Sequence, residues 1–185
     1  LPAGSLPRSA ALYAAIVMGV VALGASAALA INVPGPLTLG LLALAMALAL
    51  GYSAPPLSLH SRGLGEVLGA VLLAVITPLV GYHLQGGAGP EATATLLLPL
   101  ALLQFAMLII VSLPDAPYDA VAAKRTLAVR LGVPRASALA LASYVGAYGL
   151  VASMAPALGG LWTAADLVWL PLGVRQGLDL GGGAG

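Results

Sequence analysis

Ala92-Thr93-Ala94-Thr95-Leu96-Leu97-Leu98-Pro99-Leu100-Ala101-Leu102-Leu103-Gln104-Phe105-Ala106-Met107-Leu108-Ile109-Ile110-Val111-Ser112-Leu113 is an apolar run without one formal charge. Crossing the hydrocarbon of a bilayer takes about 20 such residues as a helix. Gln104, the polar residue at its middle, is expected to face other helices. The stretch therefore reads as a transmembrane span. Five more stretches read the same way: Ala10–Ile31, Leu37–Ala54, Leu64–Gln85, Ala136–Leu158 and the shorter Leu161–Val174. Pro34 and Pro36, Pro55-Pro56, Gly86-Gly87 and Pro114 interrupt the junctions between them. Small residues fill the spans, which lets helices approach closely.

Composition agrees. The 185 residues are 61% hydrophobic and 7% charged, with a mean hydropathy of +1.05. A soluble domain carries about a quarter charged residues, so lipid must cover most of this surface. The expected fold class is all-α, a polytopic transmembrane bundle of about six spans, forming one transmembrane domain over residues 1–185. The chain has no cysteine, which excludes thiolate nucleophiles and zinc-thiolate sites in these residues. A net charge of +1 and the lack of a basic run point away from nucleic acid. Arg8 followed by Ala10–Ile31, with Ala28-Leu29-Ala30, has the look of a secretory signal. The run is longer than a signal core, and further apolar runs follow it, so it reads as the first span. The chain opens on Leu1 and closes on Gly181-Gly182-Gly183-Ala184-Gly185, and is expected to be part of a longer protein.

With six crossings, alternate junctions share a face. All seven basic residues then fall on one side: Arg8, Arg62, Lys124, Arg125, Arg130, Arg135 and Arg175. Independent placement would achieve this about once in sixty-four tries, whereas the positive-inside rule makes it the expected pattern. This face is read as cytoplasmic. It also carries Asp115, Asp119, Glu66 and His60. His60 and His83 fall at opposite faces and so are not expected to form a joint metal site.

The segment Ser112-Leu113-Pro114-Asp115-Ala116-Pro117-Tyr118-Asp119-Ala120-Val121-Ala122-Ala123-Lys124-Arg125-Thr126-Leu127-Ala128-Val129-Arg130-Leu131-Gly132 is the richest in chemistry. Asp115 is expected to cap a short helix, with Pro117 tolerated in its first turn. Asp115 and Asp119 then stand one turn apart on one side. Two such carboxylates repel unless a cation lies between them. Magnesium suits them, because it takes few carboxylates, keeps waters and bridges to phosphate oxygens. Lys124 and Arg125 offer a point charge and a planar fork for the same phosphates. The same residues also fit a plainer role, as topology anchors and dipole-complementing acids, and on these residues alone both readings stand.

A second segment, Gly51-Tyr52-Ser53-Ala54-Pro55-Pro56-Leu57-Ser58-Leu59-His60-Ser61-Arg62-Gly63-Leu64-Gly65-Glu66, lies on the same face. Pro55-Pro56 stiffens it, and Gly63 and Gly65 permit a tight turn into the next span. Tyr52 lies at the interface, and Arg62 is placed to reach a shared anionic ligand.

Together these segments resemble the UbiA family of intramembrane aromatic prenyltransferases. Tyr52-Ser53-Ala54-Pro55-Pro56-Leu57 and Arg62-Gly63-Leu64-Gly65-Glu66 are similar to the family's loop between its fourth and fifth spans. Asp115-xxx-Asp119 with Lys124-Arg125-Thr126-Leu127-Ala128-Val129-Arg130-Leu131-Gly132 is similar to its second aspartate motif and the GKRTLAVRLG tail. Leu1-Pro2-Ala3-Gly4-Ser5-Leu6 is similar to the stretch after its first aspartate motif. The resemblance covers essentially the whole chain and implies spans three to eight of a nine-span fold.

The resemblance implies transfer of a polyprenyl group from polyprenyl diphosphate to an aromatic acceptor at the lipid bilayer of a bacterial or archaeal cell. It implies that Asp115 and Asp119 hold Mg2+, that Lys124, Arg125 and Arg62 bind the diphosphate, and that Tyr52 binds substrate. Gly63-Leu64-Gly65-Glu66 and Thr77-Pro78-Leu79-Val80-Gly81-Tyr82 are most similar to the 1,4-dihydroxy-2-naphthoate branch of menaquinone synthesis, with 4-hydroxybenzoate and other acceptors as alternatives. This sequence departs from the family pattern in places. NDxxDxxxD is absent from it, so half of the metal site is expected to lie outside the chain, and these residues alone are expected to be inactive. Ala123 stands where Gly usually precedes Lys124, and Ala120 where Arg often follows Asp119. Pro117 and Tyr118 are unusual between the aspartates. Near Ser58 and His60 the usual basic residues are missing, and only His60 can become cationic.

Two readings from other classes remain open. Proline and glycine breaks, with Asp166 inside an apolar stretch, also fit half of a transporter, although Asp166 reads more simply as a cap between the interface anchors Trp162 and Trp169. The absent first motif also fits an inactive membrane scaffold. Substrate flux without pyrophosphate release would favour the transporter, and transfer indifferent to Asp115 and Asp119 would favour the scaffold.

Overall fold

The computed structural model describes residues 7–33, 35–87 and 91–158. Most of these are helical, with no strand among the described residues. The helices are α1 (Arg8–Asn32), α2 (Pro36–Ser53), α3 (Gly65–Val71), α4 (Thr77–Leu84), α5 (Glu91–Ser112), α6 (Ala116–Val121), α7 (Leu127–Leu131) and α8 (Val133–Leu158). Five stretches among the described residues are long and apolar enough to cross a membrane: Ser9–Asn32, Pro36–Ser53, Gly65–Leu84, Thr95–Ser112 and Val133–Met154. The chain is an integral membrane protein of the all-helical class. The expected sixth span, Leu161–Val174, lies outside the described residues, as do Asp166, Trp162 and Trp169.

The first five expected spans each have their helix. Four match to within two residues at each end, and the fifth begins at Val133 rather than Ala136. Pro134 explains the earlier start. In a first helical turn its missing N–H leaves no hydrogen bond unmade, and Gly132 at φ +78° turns the chain just before it.

The third span is continuous but not uniformly α. Leu72–Ile76 is a π segment between α3 and α4. Pro78 follows it and cannot donate to the preceding turn. The wider turn accommodates that loss, and the Thr77 hydroxyl donates to the Leu72 carbonyl at 2.8 Å.

The chain folds as two compact units, Leu1–Ala43 and Leu44–Gly185. The first holds α1 and the start of α2. Large side chains such as Leu12, Val17, Val20 and Leu23 are exposed on α1, as suits a surface bathed in lipid tails. In the second unit α5 is central, packed against α8, α3 and the π segment. Its core joins Ala106, Ile109 and Leu113 of α5 and the turn after it to Ala116, Ala128, Ala136 and Ala140. Alanine dominates because helices that pack without a solvent-driven hydrophobic force depend on close approach. A Cβ on Gly69 would lie 2.8 Å from the Leu108 side chain, which shows how near α3 runs to α5. This packing brings the start of α3, the end of α5 and the α6–α7 segment to one end of the unit.

Candidate active site

Two loops build the site. The first leaves α2 at Ser53, passes a cis Pro55–Pro56 peptide and forms a 3-10 turn over Leu59–Arg62. His60 Nδ1 lies 2.8 Å from the Tyr52 carbonyl oxygen. A carbonyl can only accept, so the ring proton sits on Nδ1, leaving Nε2 as an acceptor in the neutral ring. Gly63 then turns the chain at φ +82°. A Cβ there would stand 2.6 Å from both the Arg125 carbonyl oxygen and an Arg130 guanidinium nitrogen. This is where the second loop crosses the first, and the Arg125 N–H donates to the Ser61 carbonyl at 2.8 Å.

The second loop begins at Asp115. Asp115 occupies the cap position of α6, as expected, but its side chain makes no capping bond. The expectation of a capping carboxylate is corrected by the backbone. A capping side chain needs an extended residue from which to fold back onto the first N–H groups, and Asp115 is already helical at φ −85°, ψ −8°. Its carboxylate stays exposed. One turn on, the Asp119 N–H bonds the Asp115 carbonyl at 2.8 Å, and Asp119 is buried.

α6 ends in a Schellman turn. Ala123 N–H donates to the Ala120 carbonyl at 3.2 Å and Lys124 N–H to the Asp119 carbonyl at 2.9 Å. The residue between these bonds must be left-handed, and Ala123 has φ +56°. The turn folds Lys124 back onto Asp119, and its Nζ donates to Asp119 Oδ1 at 2.8 Å. This hydrogen bond, with the Coulombic pull of Asp119 and a smaller one from Asp115, holds the Lys124 ammonium above the ordinary lysine value of 10.5. Lys124 is therefore a fixed positive charge near neutral pH.

A cavity of about 140 Å³ adjoins this pair, lined by Tyr52, His60, Gly65, Glu66, Leu108, Ser112, Lys124 and Thr126. Glu66 is buried at 5% exposure. Its Oε1 accepts the Leu127 N–H at 2.9 Å, tying α3 to the start of α7.

Of the six residues singled out in the sequence, Tyr52 and Lys124 line the cavity and Asp119 pairs with Lys124. Asp115 is one turn from Asp119 but exposed. Arg125 is exposed and joins the first loop through its backbone. Arg62 is exposed and donates to its own loop at the Pro56 carbonyl, 2.6 Å away. Glu66, Thr126 and Ser112 were not singled out as site residues. Glu66 had a signal, since a carboxylate opening an apolar span is costly unless it is used. Thr126 and Ser112 had none.

The model of the UbiA prenyltransferase family matches residues 1–178. The chain belongs to the UbiA prenyltransferase family. This UbiA member is a membrane-embedded prenyltransferase by family, and prenyl transfer to aromatic acceptors is the activity that membership implies. None of the curated proteins or solved structures compared with it matches. The family's usual glycine before Lys124 now has a physical reason, because that position is left-handed in the Schellman turn.

Proposed function

We propose that this UbiA member transfers a polyprenyl group from polyprenyl diphosphate to an aromatic acceptor, with magnesium as cofactor and 1,4-dihydroxy-2-naphthoate as the acceptor. The observation that carries the reading is the Asp119–Lys124 pair, whose lysine lines a partly buried cavity. A carboxylate and a permanent cation side by side suit a metal-bound diphosphate headgroup.

The donor set fits magnesium. Among the described residues no three His, Asp or Glu side chains group closely enough to hold a metal by themselves. Magnesium does not require that, because it binds through one or two carboxylates and completes its shell with water and substrate phosphates. Asp115, exposed and free of any capping bond, and Asp119, one turn away, would hold it. Bound there, magnesium neutralises charge on the diphosphate oxygens. Lys124, preorganised by Asp119, stabilises the charge that develops as pyrophosphate departs. Arg125 and Arg62, exposed on the crossed loops, add to the same field. Tyr52 shapes the cavity wall beside the acceptor, and the apolar helices keep water from the allylic cation. The active face is assigned to the cytoplasm from the distribution of the basic residues.

The test is prenyl transfer by the full-length protein in lipid vesicles, followed by product mass and pyrophosphate release. Chelation of divalent metal is expected to stop it and added magnesium to restore it. Transfer that survives chelation and Asp119→Asn would overturn the assignment, and a preference for 4-hydroxybenzoate would move it to another acceptor.

A further inference from the structure

Only one of the two Glu66 carboxylate oxygens has a partner. Oε1 holds the Leu127 N–H. Oε2 is buried and without a partner, and so is the Oγ1 hydroxyl of Thr126. Both residues line the cavity beside Lys124 and Tyr52. Buried polar atoms left unpaired are costly, and two on residues that line one cavity call for a common ligand. Their chemistry restricts what it is. A carboxylate oxygen only accepts, whereas a threonine hydroxyl donates or accepts. A ligand carboxylate would be repelled by Glu66. A ligand hydroxyl satisfies both, donating to Oε2 and accepting from Thr126. A cavity of about 140 Å³ has room for the hydroxyl-bearing ring of an aromatic acceptor, since an engineered cavity of about 150 Å³ holds benzene. Glu66 is no third metal ligand, since no such cluster exists among the described residues.

We infer that Glu66 and Thr126 together bind the hydroxyl of the aromatic acceptor, and so position its ring beside the diphosphate end of the prenyl donor. This rests on the prenyl-transfer reading above. Glu66 is then a binding residue whose two oxygens have separate tasks, Oε1 anchoring α7 and Oε2 receiving substrate.

Glu66→Gln separates these tasks, because the amide oxygen can still accept from Leu127 while the other position becomes a donor. In the full-length protein, KM for the aromatic acceptor should rise roughly tenfold, as for loss of one hydrogen bond to a charged group. KM for polyprenyl diphosphate should stay within about twofold, and the melting temperature should hold. Thr126→Val tests the hydroxyl without touching the anchor and should raise the same KM. As inhibitors, 4-methylphenol should outcompete its methyl ether in the parent protein and lose that advantage in Glu66→Gln. If the parent transfers prenyl groups and both variants keep the parental acceptor KM and the phenol preference, the hydroxyl site is wrong and the transfer reading stands. If the parent transfers to no aromatic hydroxyl acceptor, the transfer reading itself fails.

Discussion

Lys124 is bonded to Asp119 twice, by its backbone N–H to the Asp119 carbonyl at 2.9 Å and by its ammonium to Asp119 Oδ1 at 2.8 Å. The first bond is local and belongs to the end of α6. The second follows from it, because the Schellman turn delivers the side chain to the carboxylate. A cation held in this way needs little reorganisation when charge develops next to it.

Lys124→Met is expected to lower prenyl transfer by about 100-fold, the scale of losing one preorganised charge partner. It should also cost about 1–3 kcal/mol of stability, because it leaves the buried Asp119 carboxylate without its ammonium partner. Steady-state kinetics and thermal melting of one preparation check both. Equal loss of fold and activity would remove the catalytic role.

The pH dependence of that pair has a definite sign. The folded-state value of Lys124 is raised, so its contribution is fully present below 10.5 and lost as pH rises through the higher folded value. The stability difference between parent and Lys124→Met should therefore stay flat from neutral pH up to the ordinary lysine value and shrink only above it. Melting across that range reads it, and a difference that fades below 9 (roughly) would contradict the Asp119 contact.

Ala123→Gly should stabilise the protein by roughly 0.5–1 kcal/mol. A left-handed residue with a Cβ costs about 1–2 kcal/mol, and the extra chain entropy of glycine offsets part of the gain. Ala123→Val should destabilise, since a β-branched residue resists φ +56°. Melting of the three proteins orders them, and Val above Gly would show that the turn is not left-handed.

Gly63→Ala should cost more, about 1–3 kcal/mol, because the added methyl meets the Arg125 backbone as well as the Arg130 side chain. The crossing of the two loops would open. Limited proteolysis within Ser53–Gly63 should speed up before any global change in melting temperature. Unaltered cleavage would mean that the loops do not cross at Gly63.

Asp115→Asn and Asp119→Asn should separate. Asp115 makes no capping bond, so its loss should raise the magnesium needed for half-maximal transfer and leave melting unchanged. Asp119 is buried against Lys124, so its loss should reduce both transfer and stability, the latter by about 1–3 kcal/mol. Magnesium titration with parallel melting curves distinguishes them.

The chain by itself determined the membrane class, the positions of five helices and the family. Each depends on local properties, namely apolar length, proline and glycine breaks, and motifs a few residues long. It also placed the loops around Arg62 and Asp119 on one face, because helix parity and charge sidedness are properties of chain order. The sequence placed the Asp115–Asp119 spacing correctly for the same reason, since one helical turn separates them. Only tertiary structure decided which of these residues meet. Arg62 bonds its own loop, Arg125 contributes a backbone N–H, and Glu66 reaches Leu127 across 61 positions of sequence. Such pairings depend on how closely α3 and α5 pack and on one left-handed residue at Ala123. No linear spacing encodes that geometry, because it is fixed by atoms far apart in the chain excluding one another from the same space.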